Sequence, residues 1–196
     1  MQSFLISTTV VGLAEVGDKT QLLSLILAAR YRKPIPILLG VLSATLVNHT
    51  ASGALGAWLA LSVSPAIINW AVVASFALMG VWILLPDKAN PEAGTLHTRS
   101  LGVYGTTALT FFLAEMGDKT QVVTIALAAR FHEVSPVVIG TTLGMMLANA
   151  PIIYLGHRYA NRLPNRLVHA LAALIFVVLG GIALRTALYP GAAPLF

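Results

Sequence analysis

The chain has 196 residues, of which 57% are hydrophobic and only 10% charged, and its mean hydropathy is +0.83. A soluble domain carries about a quarter charged residues, so this composition excludes an ordinary soluble domain and points to several membrane spans. The net charge of +5 does not indicate a nucleic-acid partner, because the basic residues cluster at the ends of apolar stretches, and the absence of cysteine excludes disulfides and thiolate metal sites.

Residues 1–9, MQSFLISTT, lack the positive segment of a signal peptide, so the first apolar stretch, 4–29, reads as a retained helix. RYRKP at 30–34 closes it. A second stretch follows at 36–61, then SVSP at 62–65 and a third stretch at 67–85. PDKANPEAG at 86–94 is the longest polar run and the natural joint of the chain. Three more apolar stretches follow at 103–129, 135–156 and 167–188. The expectation is an all-α integral membrane protein of six transmembrane helices. It divides into a first three-helix repeat at 1–90, a cytoplasmic linker at 91–102 and a second three-helix repeat at 103–196.

The repeat rests on identity. At an offset of 100, 14 of 28 positions coincide between 13–40 and 113–140, including LAE, GDKTQ and LAAR. Phe76/Phe176 and Gly80/Gly180 continue the register. Three spans per copy is an odd number, so the second copy enters the membrane in the opposite direction, which makes an inverted-topology repeat of the kind that builds secondary transporters. With six spans, one side holds Arg30, Arg32, Lys33, Lys88, Arg99, Arg158, Arg162 and Arg166, and the other holds Arg130 and Arg185. That bias places both termini outside the cytoplasm.

EVGDKT at 15–20 and EMGDKT at 115–120 fall mid-span, at corresponding places in spans one and four. A central membrane charge costs about 2.5–3.5 kcal/mol, so six cost on the order of 15–20 kcal/mol before pairing. Glu15 and Asp18 are spaced i,i+3 and would share a helix face, with Thr20 and Gln21 within a turn. Gly17 weakens that helix, and a locally unwound segment would offer carbonyls as well. Glu115, Asp118, Thr120 and Gln121 repeat the set. Four carboxylates meeting at the midplane, with Thr20, Gln21, Thr120 and Gln121 as secondary ligands, form an all-oxygen site suited to calcium, magnesium or manganese. Clustered carboxylates repel, so some would hold protons when the cation leaves, and proton and cation would compete. The bland alternative is a structural ion pair such as Glu15 with Lys19, but two acids against one lysine leave each motif negative. Lys19 and Lys119 are expected to pair with acids and tune their charge.

Asn48 and His49 in span two and Asn149 in span five could line the path or simply link helices. Gly140 and Gly144, matched by Gly40 and Ala44, read as close helix packing. Trp58, Trp70 and Trp82 read as interfacial anchors.

The doubled E-x-G-D-[KR]-[TS] motif resembles a six-span cation/proton antiporter family. That family includes the Golgi manganese/calcium transporter and bacterial manganese exporters. The resemblance covers the whole chain and implies that Glu15, Asp18, Glu115 and Asp118 bind the cation, with Thr20 and Thr120 as motif hydroxyls. It implies Mn2+, or Ca2+, moved against protons, with no prosthetic group and no enzymatic activity. The chain lacks a targeting peptide and a long acidic or histidine-rich linker, so it resembles a compact prokaryotic member in a bacterial inner membrane. Its partners would be membrane lipid and a divalent cation, with a homo-oligomer left open. An exporter of a cationic amino acid and a non-transporting membrane scaffold are the competing readings.

Overall fold

The computed structural model describes residues 1–82, 101–155 and 165–189. Lys88, His97, Arg99, His157, Arg158, Arg162 and almost all of the expected linker at 91–102 lie outside the described residues, as do the side chains of Trp82, Arg166, His169 and Phe176.

Among the described residues the chain is helical throughout, in eight helices. They are α1 (Gln2–Glu15), α2 (Lys19–Tyr31), α3 (Pro34–Ser62), α4 (Pro65–Trp82), α5 (Gly102–Glu115), α6 (Lys119–Phe131), α7 (Val134–Leu155) and α8 (Asn165–Leu188). The duplication is visible in these bounds. α5 and α6 repeat α1 and α2 residue for residue at an offset of 100, and α3 and α7 begin 100 residues apart. Even the helix ends agree: Arg32 and His132 are left-handed, with φ of 51° and 55°, and each N–H reaches the carbonyl four residues back, Ala28 and Ala128, at 3.0 Å.

The stretches expected as single helices at 4–29 and 103–129 are each two helices with a break at the motif. Prolines start α3 and α4, where a missing N–H costs nothing. α3 spans 29 residues and α7 contributes a 21-residue stretch, both long and apolar enough to cross a membrane.

Beside two apolar core clusters the interior also holds many polar groups, while large aliphatic side chains cover the surface. Ser3, Ser7, Thr45, Thr107, Thr110, Thr141 and all four motif acids are buried, while Leu39, Val47, Leu61, Val81, Leu147 and Val177 lie at the surface. Exposing so many large aliphatics is favourable when the surrounding medium is lipid, and polar groups are then kept to the interior. Trp58 and Trp70 are exposed, as anchors would be.

The halves interlock. α1 packs along α7 and its counterpart α5 packs along α3, while α4 packs against α8. Small residues permit this approach. A Cβ at Gly140 would lie 2.6 Å from the Phe4 carbonyl oxygen, and one at Gly144 would lie 2.6 Å from that of Thr8. Gly144→Val is therefore expected to lower the melting temperature of the detergent-solubilised protein, through overpacking of about 1–3 kcal/mol. Gly181→Ala, where an added Cβ meets nothing within 4 Å, serves as the control and should leave it unchanged or slightly raised.

Candidate metal centre

The motif breaks its helix because of one residue. Val16 turns out of α1 with ψ 121°, and Gly17 then takes φ 80°; Met116 and Gly117 repeat this with ψ 121° and φ 75°. L side chains rarely adopt that φ. Gln21 and Gln121 brace the two breaks: their Oε1 atoms accept the Gly17 and Gly117 N–H groups at 2.8 and 2.9 Å. Asp18 and Asp118 become the N-caps of α2 and α6, but their side chains do not cap. Glu15 and Asp18 therefore do not share one helix face. The expected i,i+3 relation is replaced by a helix C-terminus, a glycine and a helix N-terminus, which sets one negative and one positive dipole end beside the acids; the Asp18 and Asp118 N–H groups close each break onto the Glu15 and Glu115 carbonyls at 3.1 Å.

The freed Asp side chains cross to the other half. Lys19 Nζ meets Asp118 Oδ1 at 2.8 Å, and Lys119 Nζ meets Asp18 Oδ1 at 2.8 Å. The local Glu15–Lys19 pair that spacing allows is not formed. Two identical, reciprocal pairs between copies are what a two-fold relation produces.

Glu15 and Glu115 are fully buried, and Asp18 and Asp118 are each 2% exposed. One carboxylate oxygen from each of Glu15, Glu115 and Asp118 lies within 4.8 Å of the others, so three of the four expected acids converge; Asp18 stands outside that trio, on Lys119. In each of the three, one oxygen is held and one is left over. Asn149 Nδ2 donates to Glu15 Oε1 at 3.5 Å, Thr120 Oγ1 donates to Glu115 Oε2 at 2.9 Å, and Lys19 holds Asp118 Oδ1. Glu15 Oε2, Glu115 Oε1 and Asp118 Oδ2 are buried with no protein hydrogen-bond partner, and so is Thr20 Oγ1. Buried carboxylate oxygens without partners are costly, and a hard cation with oxygen preference satisfies several at once. With all acids ionised, four carboxylates and two ammoniums sum to −4 + 2 = −2, the complement of one divalent cation.

Asn149 is thus joined to the acids, while Asn48 and His49 are joined elsewhere. Asn48 Nδ2 donates to the Phe112 carbonyl at 3.2 Å, and His49 Nδ1 sits 3.4 Å from Thr142 Oγ1. One participant escaped the sequence reading. Ser24 Oγ donates to Asn149 Oδ1 at 2.6 Å and so orients the amide that holds Glu15. Its signal was present in the repeat, because the matching position, Thr124, also carries a hydroxyl.

The family model of the divalent cation/proton antiporter GDT1 matches residues 3–91 and 103–190. The chain belongs to the GDT1 family. Similar proteins include one of Vibrio cholerae named "Putative manganese exporter", 46% identical over 190 residues, covering 96% of this chain and 92% of that one. "GDT1-like protein 4" of Oryza sativa subsp. indica is 26% identical over 212 residues, covering 96% of this chain and 74% of its own length. "GDT1-like protein sll0615" of Synechocystis is 26% identical over 197 residues, covering 90% and 93%. No solved structure matches. The GDT1 chain described here is a membrane transporter of divalent cations, and not an enzyme.

Proposed function

We propose that the protein exports Mn2+ from the bacterial cytoplasm in exchange for protons, through a midplane site formed by Glu15, Asp18, Glu115 and Asp118. The observation that carries this reading is the trio of buried carboxylates, each with one oxygen left over, within 4.8 Å of one another. The architecture proposed is six spans in two inverted repeats, 1–90 and 103–196, joined by a cytoplasmic linker, with both termini outside. Reciprocal packing of α1 on α7 and α5 on α3 supports it, as do the reciprocal ion pairs. Spans one and four are each a pair of half-helices meeting at the site, an arrangement by which membrane transporters hold ions at mid-depth.

The charge of the site supports exchange. One divalent cation, or two protons, neutralises the net −2, so either cargo can occupy the site at low electrostatic cost and the two together cannot. Mn2+ is favoured over Ca2+ because the more similar relative is named for manganese.

The test is flux in reconstituted vesicles with an imposed pH gradient, following Mn2+ and Ca2+ for the native protein, Asp18→Asn and Asp118→Asn. Proton-driven Mn2+ flux that both variants abolish is the expected result. Flux of neither ion from a folded native protein would overturn the reading. Flux of Ca2+ alone would replace the substrate.

A further inference from the structure

The two halves are equivalent in sequence but not in their hydrogen bonds, and the differences form a pattern. Around Glu15 the second half is latched on. Gln21 Nε2 donates to the Ala148 carbonyl at 3.0 Å, Ser24 Oγ donates to Asn149 Oδ1 at 2.6 Å, and Asn149 donates to Glu15. The first two bonds fasten α2 to α7, and the third fastens the end of α1 to α7.

The matching positions between α6 and α3 are Gln121, Thr124, Asn48 and His49. Among the described residues they make no such bonds. Gln121 holds only its own Gly117, Thr124 Oγ1 turns back to the Thr120 carbonyl at 2.7 Å, and His49 Nε2 is buried without a protein partner. The inner hydroxyls differ in the converse sense. Thr120 donates to Glu115, whereas Thr20 Oγ1 has no protein partner.

Exposure follows the same division. Lys19, on Asp118, has a third of its side chain exposed, and Met116 and Gly117 beside that pair are exposed. Lys119, on Asp18, is 5% exposed, and Val16 and Gly17 are half-buried. A charged lysine is costly against lipid, so the partly exposed Lys19 favours water on that flank, while the latched flank is the more buried of the two.

We infer that the contact set between α2 and α7 is a gate, and that Gln121, Thr124 and His49 form the matching gate between α6 and α3 when the two halves exchange roles. The inference deepens the proposed exchange and rests on it, since two-sided access is what a second gate serves. In the exchanged state Gln121 Nε2 bonds the Asn48 carbonyl, Thr124 Oγ1 bonds His49, His49 approaches Glu115, and Thr20 takes Glu15. The buried groups left idle in the present state, His49 Nε2 and Thr20 Oγ1, are the ones this exchange employs. Each exchange makes and breaks a similar number of bonds, so neither state is strongly preferred and a cargo can shift the balance.

Ser24→Ala and Thr124→Val test the inference with opposite signs. Ser24→Ala removes a bond of the present gate. Thr124→Val keeps shape, loses only a local back-bond here, and removes a bond of the exchanged gate. The natural chain has no cysteine, so Met116→Cys and Val16→Cys each supply one reporter for a membrane-impermeant maleimide in vesicles without added metal. Ser24→Ala is expected to slow labelling at position 116 and speed it at position 16 by several-fold. Thr124→Val should do the reverse. Shifts in the same direction, or none in either variant, would overturn the inference. Labelling needs no transported ion, so it can fail or succeed independently of Mn2+ flux.

Discussion

Glu115→Gln is expected to silence cation flux while leaving a folded protein. The carboxylate is fully buried, belongs to the converging trio, and has one oxygen with no protein partner. Its other oxygen takes the Thr120 hydroxyl, a bond that a glutamine oxygen can also accept. Removing the charge changes the site sum from −2 to −1, which no longer matches a divalent cation. Changes in groups that merely support metal ligands weaken binding about 10–100-fold, so loss of a carboxylate that would itself bind should lower flux by at least about 100-fold. Folding is spared because a neutral amide is cheaper to bury than a carboxylate. The measurement is Mn2+ flux alongside the melting temperature, and native flux from the variant would count against a role for Glu115. In the native protein the half-saturating Mn2+ concentration should rise as pH falls on the loading side, because protons occupy the same oxygens.

The two motif lysines should differ in what their loss does to stability. Lys119→Met is expected to destabilise the protein by about 3–5 kcal/mol, because it strips the ammonium from a carboxylate that is 2% exposed inside a sealed flank. Lys19→Met should cost less: Asp118 is as buried as Asp18, but the Lys19 side chain is 33% exposed, so solvent already screens that pair and shares the space its ammonium fills. Sequence alone gives no reason for a difference, since both lysines sit in the same motif. Melting temperatures of the two variants measure it, and equal losses would show that the flanks are equally sealed. Adding Asp18→Asn to Lys119→Met should recover part of the loss, because the neutral amide no longer needs a buried partner.

Much of the fold was legible because its signals are local or periodic. Hydropathy reports which segments prefer lipid, and the identity between 13–40 and 113–140 reports duplication without any structure. The glycine of the motif also gave warning of an unwound segment. What it could not convey was the extent of the break: Gly17 and Gly117 take positive φ and end α1 and α5 at the glutamates, so helical spacing stopped describing the motif there. The i,i+3 face shared by Glu15 and Asp18 and the i,i+4 pairing of Glu15 with Lys19 both assume an unbroken helix.

The amino-acid sequence by itself determined the lipid environment, the duplication and the residue types at the candidate site, because transfer free energies and residue chemistry belong to single positions. Only the tertiary structure decided the partners. Lys19 with Asp118, Lys119 with Asp18 and Asn149 with Glu15 join residues about 100 or more positions apart, and packing of α1 on α7 and α5 on α3 brings them together. It also decided the asymmetry. Two nearly identical motifs carry no information about which flank is closed, because that depends on which of two similar hydrogen-bond sets is formed at a given moment.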